Sequence, residues 1–224
     1  MLELTMPNTR LVLIEGLPGA GKSTSTVHLG TVLQQAGIPC RWFREEDDPH
    51  PLPCLDFEIK GLPAKMIQLW SDFVERTERE PFVYIIESRL WQNTGLYMYM
   101  SENEIDEIVD FNRAVYQVLT PLAPVLIYLD QADTEVALRR MYAARGEAWM
   151  AQTLAETLPY PWFQSRNITD FAGWVQFFVA WQPIADRLFA DWHHRKLRIL
   201  NPHDDWAGTY KQMRAFPQLE HMRW

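Results

Sequence analysis

Cysteine and long apolar runs are what this sequence has least of. Cys40 and Cys54 are its two cysteines, without a Cys-x-x-Cys pair or a Cys/His spacing typical of zinc ligands. That scarcity argues against a disulfide framework and a cysteine-ligated zinc site. No apolar run approaches the roughly 18 residues of a membrane span, and the N-terminus, with Glu3 and Pro7, lacks the pattern of a signal peptide. We therefore expect a soluble, cytoplasmic protein that does not act at a membrane.

Basic residues are also scarce. The chain has 21 Lys and Arg against 29 Asp and Glu, for a net charge of −8 and an isoelectric point near 5.3. Binding to a nucleic-acid polymer depends on Lys and Arg that displace condensed counterions, so this balance argues against such a partner. Internal repeats, low-complexity tracts and long linkers are missing as well. We expect one domain over residues 1–224.

Apolar strands alternate with amphipathic helices along the chain. Continuous apolar runs predict strands buried on both faces, and apolar residues at helical spacing predict the helices between them. We also expect a capping box at residues 101–104, a loop at 158–162 and a helix interrupted at Pro183. The predicted strands are 11–15, 38–44, 82–87, 125–130 and 196–200, and the predicted helices are 26–36, 61–79, 105–119, 133–145, 170–192 and 205–216. This alternation indicates an α/β fold with a five-stranded parallel sheet and helices on both faces.

Polar residues stand at or near the ends of the predicted strands. They are Glu15, Arg44, Glu87, Asp130 and Asn201. Ligands of open parallel sheets bind beyond the carboxyl ends of the strands. These side chains therefore mark a candidate site.

The segment between the first strand and the first helix matches the pattern G-x-x-x-x-G-K-[ST] in the strand-to-helix setting that it needs. Glycines let successive N–H groups turn towards phosphate oxygens, and the helix N-terminus adds partial positive charge. Lys22 can reach the β- and γ-phosphates, and the Ser23 hydroxyl can ligate Mg²⁺. We expect ATP and Mg²⁺ here. The predicted nucleotide-binding residues are Gly16, Pro18, Gly19, Ala20, Gly21, Lys22, Ser23 and Thr24.

A GTPase is disfavoured. Such proteins carry an Asn-Lys-x-Asp motif after a late strand, whereas the similar string at residues 167–170 lacks the Lys and follows no apolar strand. A D-x-x-G string occurs at residues 205–208, but it follows the last predicted strand, where a γ-phosphate switch does not belong.

Three places in the chain resemble the thymidylate kinase and deoxynucleoside kinase group. Residues 14–24 are similar to that group's I-E-G-x-x-G-[AS]-G-K-[ST]-T opening. Phe43-Arg44-Glu45 stands where the group has Arg-Glu-Pro or Glu-Pro, and Ile86-Glu87-Ser88-Arg89 stands where it has Asp-Arg-Tyr or Glu-Arg-Ser. Residues 126–130 and 137–146 resemble its fourth strand and Arg-bearing lid. The resemblance implies a P-loop NTPase fold, phosphoryl transfer and a helical lid near residues 133–168.

Phosphoryl transfer calls for cations, a metal anchor and a carboxylate that orients the acceptor. Glu87 could deprotonate the acceptor or hold Mg²⁺ through water, and Arg139, Arg140 and Arg145 are candidates for a lid that excludes water. For Trp70, core packing is the alternative to contact with an acceptor ring. The predicted catalytic residues are Lys22, Glu87, Arg89, Arg140 and Arg145; the metal ligands Ser23 and Glu87; and the acceptor-binding residues Arg44, Glu45, Gln68, Trp70 and Arg89.

The acceptor stays open between a nucleoside or nucleotide and a non-nucleotide metabolite or antibiotic. Arg89 is displaced by one residue from the group's pattern, and the aromatic and Pro-rich stretch 150–171 has no clear counterpart in it. Both features favour an unusual acceptor pocket, and the ten Trp of the chain would suit a flat aromatic acceptor. A module that binds ATP as a switch and transfers nothing is the third interpretation. The oligomeric state is open between a monomer and a homodimer.

Overall fold

A computed structural model of the chain describes residues 9–53 and 61–216. Residues 1–8 and Cys54, on which two of the inferences above depend, lie outside these ranges. The described chain forms a five-stranded parallel sheet with the strand order β2-β3-β1-β4-β5. The strands are β1 (Leu11–Gly16), β2 (Cys40–Phe43), β3 (Val83–Glu87), β4 (Val125–Asp130) and β5 (Arg195–Leu200). The predicted parallel α/β sheet is confirmed.

Helices cover both faces of this sheet. They are α1 (Lys22–Gln35), α2 (Leu62–Thr77), α3 (Leu96–Met100), α4 (Ile105–Leu119), α5 (Thr134–Arg145), α6 (Glu147–Thr157), α7 (Pro161–Gln164), α8 (Phe171–Asp191) and α9 (Trp206–Ala215). A π-helix (Trp91–Gly95) precedes α3, and 3₁₀ turns (Thr120–Leu122 and Pro202–Asp204) follow α4 and β5. In the described ranges, no helix is both long and apolar enough to cross a membrane.

The core has two parts because side chains alternate across the sheet. Leu11 and Leu13 of β1 point to the cluster formed with α2, α4 and α8, whereas Val12 and Ile14 point to the smaller cluster formed with α1 and α9. All six residues of β1 are buried. Because β1 is buried on both faces, nearly all its residues are apolar, which explains the continuous apolar run in the sequence.

Three local predictions need correction. The capping box of α4 pairs Glu104 with Glu107 instead of using residues 101–104, because Glu104 is the residue whose backbone is extended at the helix start. Helix α8 runs through Pro183 without a break, with Trp181 and Ile184 buried on either side of it, so tertiary packing overrides the proline. The expected loop at 158–162 includes the start of α7.

The register of the sheet places the carboxyl ends of β1, β3 and β4 at the same edge. Ile14 of β1 pairs with Glu87 at the end of β3, and Gly16 pairs with Leu129 of β4. The loop that follows β1 therefore lies between the carboxyl ends of its two neighbouring strands.

Candidate functional site

The loop from Gly16 to Lys22 has the backbone geometry that its sequence predicts. Gly19 and Gly21 have φ angles of 77° and 91°, in the left-handed region that favours glycine. A Cβ at Gly21 would collide with the Trp206 ring, and one at Gly19 would collide with Met141. Conformation and space therefore both require glycine at these two positions.

Lys22 lies at the first position of α1 with its side chain folded over the loop. Its Nζ donates to the carbonyl oxygens of Gly16 and Leu17, at 3.0 Å each, and the residue is 7% exposed. Burial lowers the pKa of Lys22 below its usual value, while the carboxylates of Glu45, Glu87 and Glu15 oppose that shift. The ammonium group is thus held inside the loop by weak carbonyl partners that a phosphate oxygen could replace.

Glu87, at the carboxyl end of β3, is the centre of the hydrogen bonds beside this loop. Ser23 Oγ donates to its Oε1 at 2.7 Å, and Thr26 Oγ1 donates to its Oε2 at 3.1 Å. The backbone N–H of Glu45 also donates to Oε1, at 3.1 Å. Thr26 was not among the predicted site residues, although its position one turn after Ser23 places both hydroxyls on one face of α1.

The chain turns sharply after Glu87. Ser88 has a φ of 57°, which is uncommon for a residue with a side chain, and its N–H donates to the carbonyl of Ile14. Arg89 follows, 3% exposed, and its Nη2 donates to the carbonyl of Glu45 at 2.7 Å. The displaced arginine therefore ties the segment after β2 to the segment after β3.

Glu15 is a second buried carboxylate at this edge, and its role was not predicted. It is 1% exposed; Oε1 accepts the backbone N–H of Leu90 at 2.8 Å, and Oε2 has no hydrogen-bond partner among the described residues. Burial raises the pKa of Glu15 to about 7, against the opposing effects of the Leu90 N–H and of Lys22. The only sequence signal was its place at the end of a buried strand.

A cavity of about 820 Å³ opens above the loop and extends across the edge of the sheet. On one side lies the α9 wall, which we define as His203, Trp206 and Tyr210. On the other side lies the aromatic wall, contributed by α3, α6 and α8. The aromatic wall consists of Leu96, Tyr97, Met100, Trp149, Trp174, Phe177 and Phe178.

The α9 wall is packed directly on the glycine loop. A ring nitrogen of His203 lies 2.8 Å from the carbonyl oxygen of Gly19, and the Trp206 ring lies 4.9 Å from that of His203 and 5.4 Å from that of Tyr210. The D-x-x-G string has a structural use here, because Asp205 caps α9 by accepting the N–H of Gly208. The sequence analysis did not predict this wall.

The other predicted residues divide into those at the cavity and those away from it. Glu45 and Arg145 line it, and the Arg145 guanidinium lies 4.6 Å from the Trp149 ring. Arg44, Arg139 and Arg140 do not line it and hydrogen-bond to Asp47, Glu135 and Gln131 respectively.

Two predicted acceptor-binding residues of α2 lie elsewhere. Trp70 does not line the cavity and packs against Phe73 in the core, which corrects the prediction that its ring is available to an acceptor. Gln68 is on the exposed face of α2, where its amide donates to Asp72. The stripe of apolar residues on α2 belongs to the core because α2 packs against α4 and not against the loop.

Oxygen donors at the loop fit a magnesium ion. The Ser23 hydroxyl and the Glu87 carboxylate lie within hydrogen-bond distance of each other beside the phosphate loop, and Mg²⁺ prefers such hard oxygen ligands together with phosphate oxygens. No group of three or more His, Cys, Asp or Glu within the described ranges could hold a metal by itself. The donor set matches an ion shared with a bound phosphate.

The strand order and the glycine loop together define the P-loop NTPase fold. The sequence matches no known protein family and no curated protein. Among solved structures, the YorR protein of Bacillus subtilis, in complex with phosphorylated GDP, is 12% identical with a TM-score of 0.54, over 96% of this chain and 99% of that one. Thymidylate kinase from Candida albicans is 12% identical with a TM-score of 0.50, over 96% of this chain and 94% of that one. The chain has the fold of P-loop kinases, as its motifs implied.

Proposed function

We propose that this protein is an ATP- and Mg²⁺-dependent small-molecule kinase. The observation that carries the proposal is the hydrogen bond from Ser23 to Glu87, at the side of a complete phosphate loop and beside a cavity with two separate walls. Phosphoryl transfer needs a cation, a metal anchor and a carboxylate next to a second pocket. The fold shared with a thymidylate kinase supports the same reaction class.

Lys22 neutralises charge on the transferring phosphoryl group. Its ammonium gives up the carbonyls of Gly16 and Leu17 when a phosphate oxygen enters, and the loop amides hold the remaining phosphate oxygens. The Ser23 hydroxyl would hold Mg²⁺ directly and Glu87 would hold it through water, and the ion would add positive charge beside the phosphates. The α9 wall borders this half of the cavity and offers Trp206 as a stacking surface for the base.

Glu87 orients the acceptor hydroxyl or removes its proton as the oxygen attacks the γ-phosphorus. Its two carboxylate oxygens are fixed by Ser23, Thr26 and the N–H of Glu45, so it can act without reorganising. The segment of α5 and α6 brings Arg145 to the cavity as a lid residue. Closure of such a lid would exclude water and favour transfer over hydrolysis.

An ATP-binding switch that transfers nothing is the second candidate. The open cavity next to the loop speaks against it, since a switch needs a site for the triphosphate but no room for an acceptor. The fixed position of Glu87 gives further support to a kinase.

Acceptor-dependent release of ADP tests the proposal. Wild-type protein with ATP and Mg²⁺ should release ADP with at least one member of a panel of nucleosides, nucleotides and other hydroxylated small molecules. Lys22→Met should lower that rate by roughly 10²-fold or more, because it removes the cation at the developing charge. Lys65→Met, an exposed lysine of α2, is the control and should leave the rate unchanged. A complete panel without acceptor-dependent ADP would contradict a kinase.

A further inference from the structure

The aromatic wall is built before any ligand arrives. Trp174 and Phe178 have ring centroids 4.5 Å apart, and Phe177 lies 5.0 Å from Trp162 and 5.3 Å from Tyr99. Trp174, Phe177 and Phe178 are all 4% exposed or less. Rings held this firmly by their neighbours form a preorganised apolar surface that a planar ligand can contact at little entropic cost.

The polar groups on this side of the cavity are mostly neutral. Gln92, Thr153 and Thr157 contribute amide and hydroxyl groups, and Glu45 contributes a negative charge at the mouth. The cationic side chains among the described residues that line the cavity are Lys22 and Arg145, with His203 on the far side. In the proposed reaction, Lys22 contacts the phosphates of the donor nucleotide.

Arg44, Arg89 and Arg140 lie near the site but do not line the cavity, and each has a hydrogen-bond partner. The Arg44 guanidinium forms two hydrogen bonds with Asp47, and Arg89 donates to the carbonyl of Glu45. Arg140 donates to Gln131. An acceptor that carries a phosphate would therefore place two negative charges against rings and neutral polar groups, with Arg145 as the one guanidinium that lines the cavity in the described part of the chain. Burial of an unpaired charge is strongly unfavourable.

We infer that the acceptor is an uncharged alcohol on a planar or apolar body, such as an unphosphorylated nucleoside or an aromatic alcohol, and not a phosphomonoester. This inference depends on the proposed function, because it concerns the second pocket of the same kinase site. Within the proposed function, the inference means that the enzyme adds the first phosphate to its acceptor and does not transfer a second phosphate onto one that the acceptor already carries.

Matched pairs of ligands that differ by one phosphate test the inference. The probes are thymidine with thymidine 5′-monophosphate and 2-phenylethanol with 2-phenylethyl phosphate. Each is added to full-length protein that is saturated with Mg²⁺ and the non-hydrolysable ATP analogue AMP-PNP, and the melting temperature is measured. We expect at least one uncharged probe to raise the melting temperature, with an affinity about tenfold or more above that of its phosphorylated partner. Equal or tighter binding of the phosphorylated members, or no shift with either uncharged probe, would overturn the inference.

A charge-introducing variant provides a second readout. Thr153→Arg places a guanidinium in the aromatic wall region of α6, and it should strengthen binding of the phosphorylated probes by about tenfold while the uncharged probes gain nothing. Gln152→Arg, on the exposed face of the same helix, adds the same charge outside the cavity and should change neither. If wild-type protein already binds the phosphorylated probes and Thr153→Arg adds nothing, the pocket has a phosphate site of its own and the inference is wrong.

The two proposals fail in different ways. If AMP-PNP with Mg²⁺ alone does not raise the melting temperature, the proposed kinase function fails before an acceptor is added. If AMP-PNP binds, and the assay with ATP releases ADP only with phosphorylated acceptors, the kinase function stands and the inference about the acceptor is wrong.

Discussion

Glu15 is a buried residue whose ionisation should affect stability near neutral pH. Burial raises its pKa to about 7 from the usual 4.5 of a glutamate, so between these pH values the folded state binds more protons than the unfolded state. The free energy of unfolding must then fall as pH rises through this window, by roughly 3 kcal/mol in all. The Gln of Glu15→Gln cannot ionise. In urea titrations between pH 5 and 8, the free energy of unfolding of this variant should therefore depend less on pH than that of the wild type.

The difference between wild type and Glu15→Gln is the informative quantity, because groups distant from Glu15 titrate equally in both proteins. Glu78→Gln, an exposed residue at the end of α2, is the control and should follow the wild-type profile. Parallel profiles for wild type and Glu15→Gln would contradict the raised pKa.

Glu87 should matter to rate more than to nucleotide affinity. Glu87→Gln keeps an oxygen that can accept the Ser23 hydroxyl but removes the negative charge that orients or deprotonates the acceptor. We expect kcat to fall by about 10²- to 10⁴-fold, with a smaller change in KM for ATP. Steady-state kinetics with the best acceptor measure both. Glu75→Gln, on the exposed face of α2, is the control and should behave as wild type. An unchanged kcat in Glu87→Gln would show that Glu87 has no part in the mechanism.

The sequence predicted the residues whose role depends on local order and missed those that depend on packing across the fold. Lys22, Ser23 and Glu87 were found because a motif or a strand end places them. His203 reaches the site through the approach of a separate element, which spacing does not reveal, whereas Thr26 follows Ser23 by one turn of α1 and could have been found from its spacing. Trp70 was proposed as an acceptor contact because the apolar stripe of a helix looks alike whether it faces a pocket or a core.

At the scale of elements, α6 and α9 border different halves of the cavity. Trp206→Leu should weaken binding of the ATP analogue by roughly tenfold, because a base stacked on an aromatic ring gains about 1–3 kcal/mol. Trp149→Leu should weaken the acceptor and leave the analogue unchanged, since Trp149 lies in the aromatic wall. Isothermal titration of each ligand into each variant measures this. The opposite pattern, or equal losses in both variants, would contradict the division of the cavity.

Most predicted ends of strands and helices lie within two residues of the observed ones, and the start of α1, four residues earlier than predicted, is the exception. Each buried strand is a continuous apolar run, because helices cover both faces of a parallel sheet. Helix caps and interruptions depend on single contacts: the side chains of Glu104 and Glu107 form the capping box of α4, and α8 continues past Pro183 because its neighbours are buried. Such contacts are made by the folded chain and leave little trace in composition or period.

At the scale of the whole molecule, the sheet order decides where chemistry can occur. β1 lies in the middle with β3 and β4 on either side, so the glycine loop, Glu87 and the turn at Ser88 share one edge. The α9 wall and the aromatic wall approach that edge from opposite faces of the sheet. In the proposed function, the triphosphate and the acceptor meet across these strand ends.

Titration of Mg²⁺ and AMP-PNP into the full-length protein tests the central claim, that the loop and Lys22 hold a nucleoside triphosphate. We predict saturable binding by wild type and by Lys65→Met, and binding weaker by about tenfold or more in Lys22→Met, which loses one charge-assisted contact with the phosphates. The melting temperatures of the three unliganded proteins show that each is folded. Absence of binding by folded wild type, or equal affinity in Lys22→Met, would contradict the account.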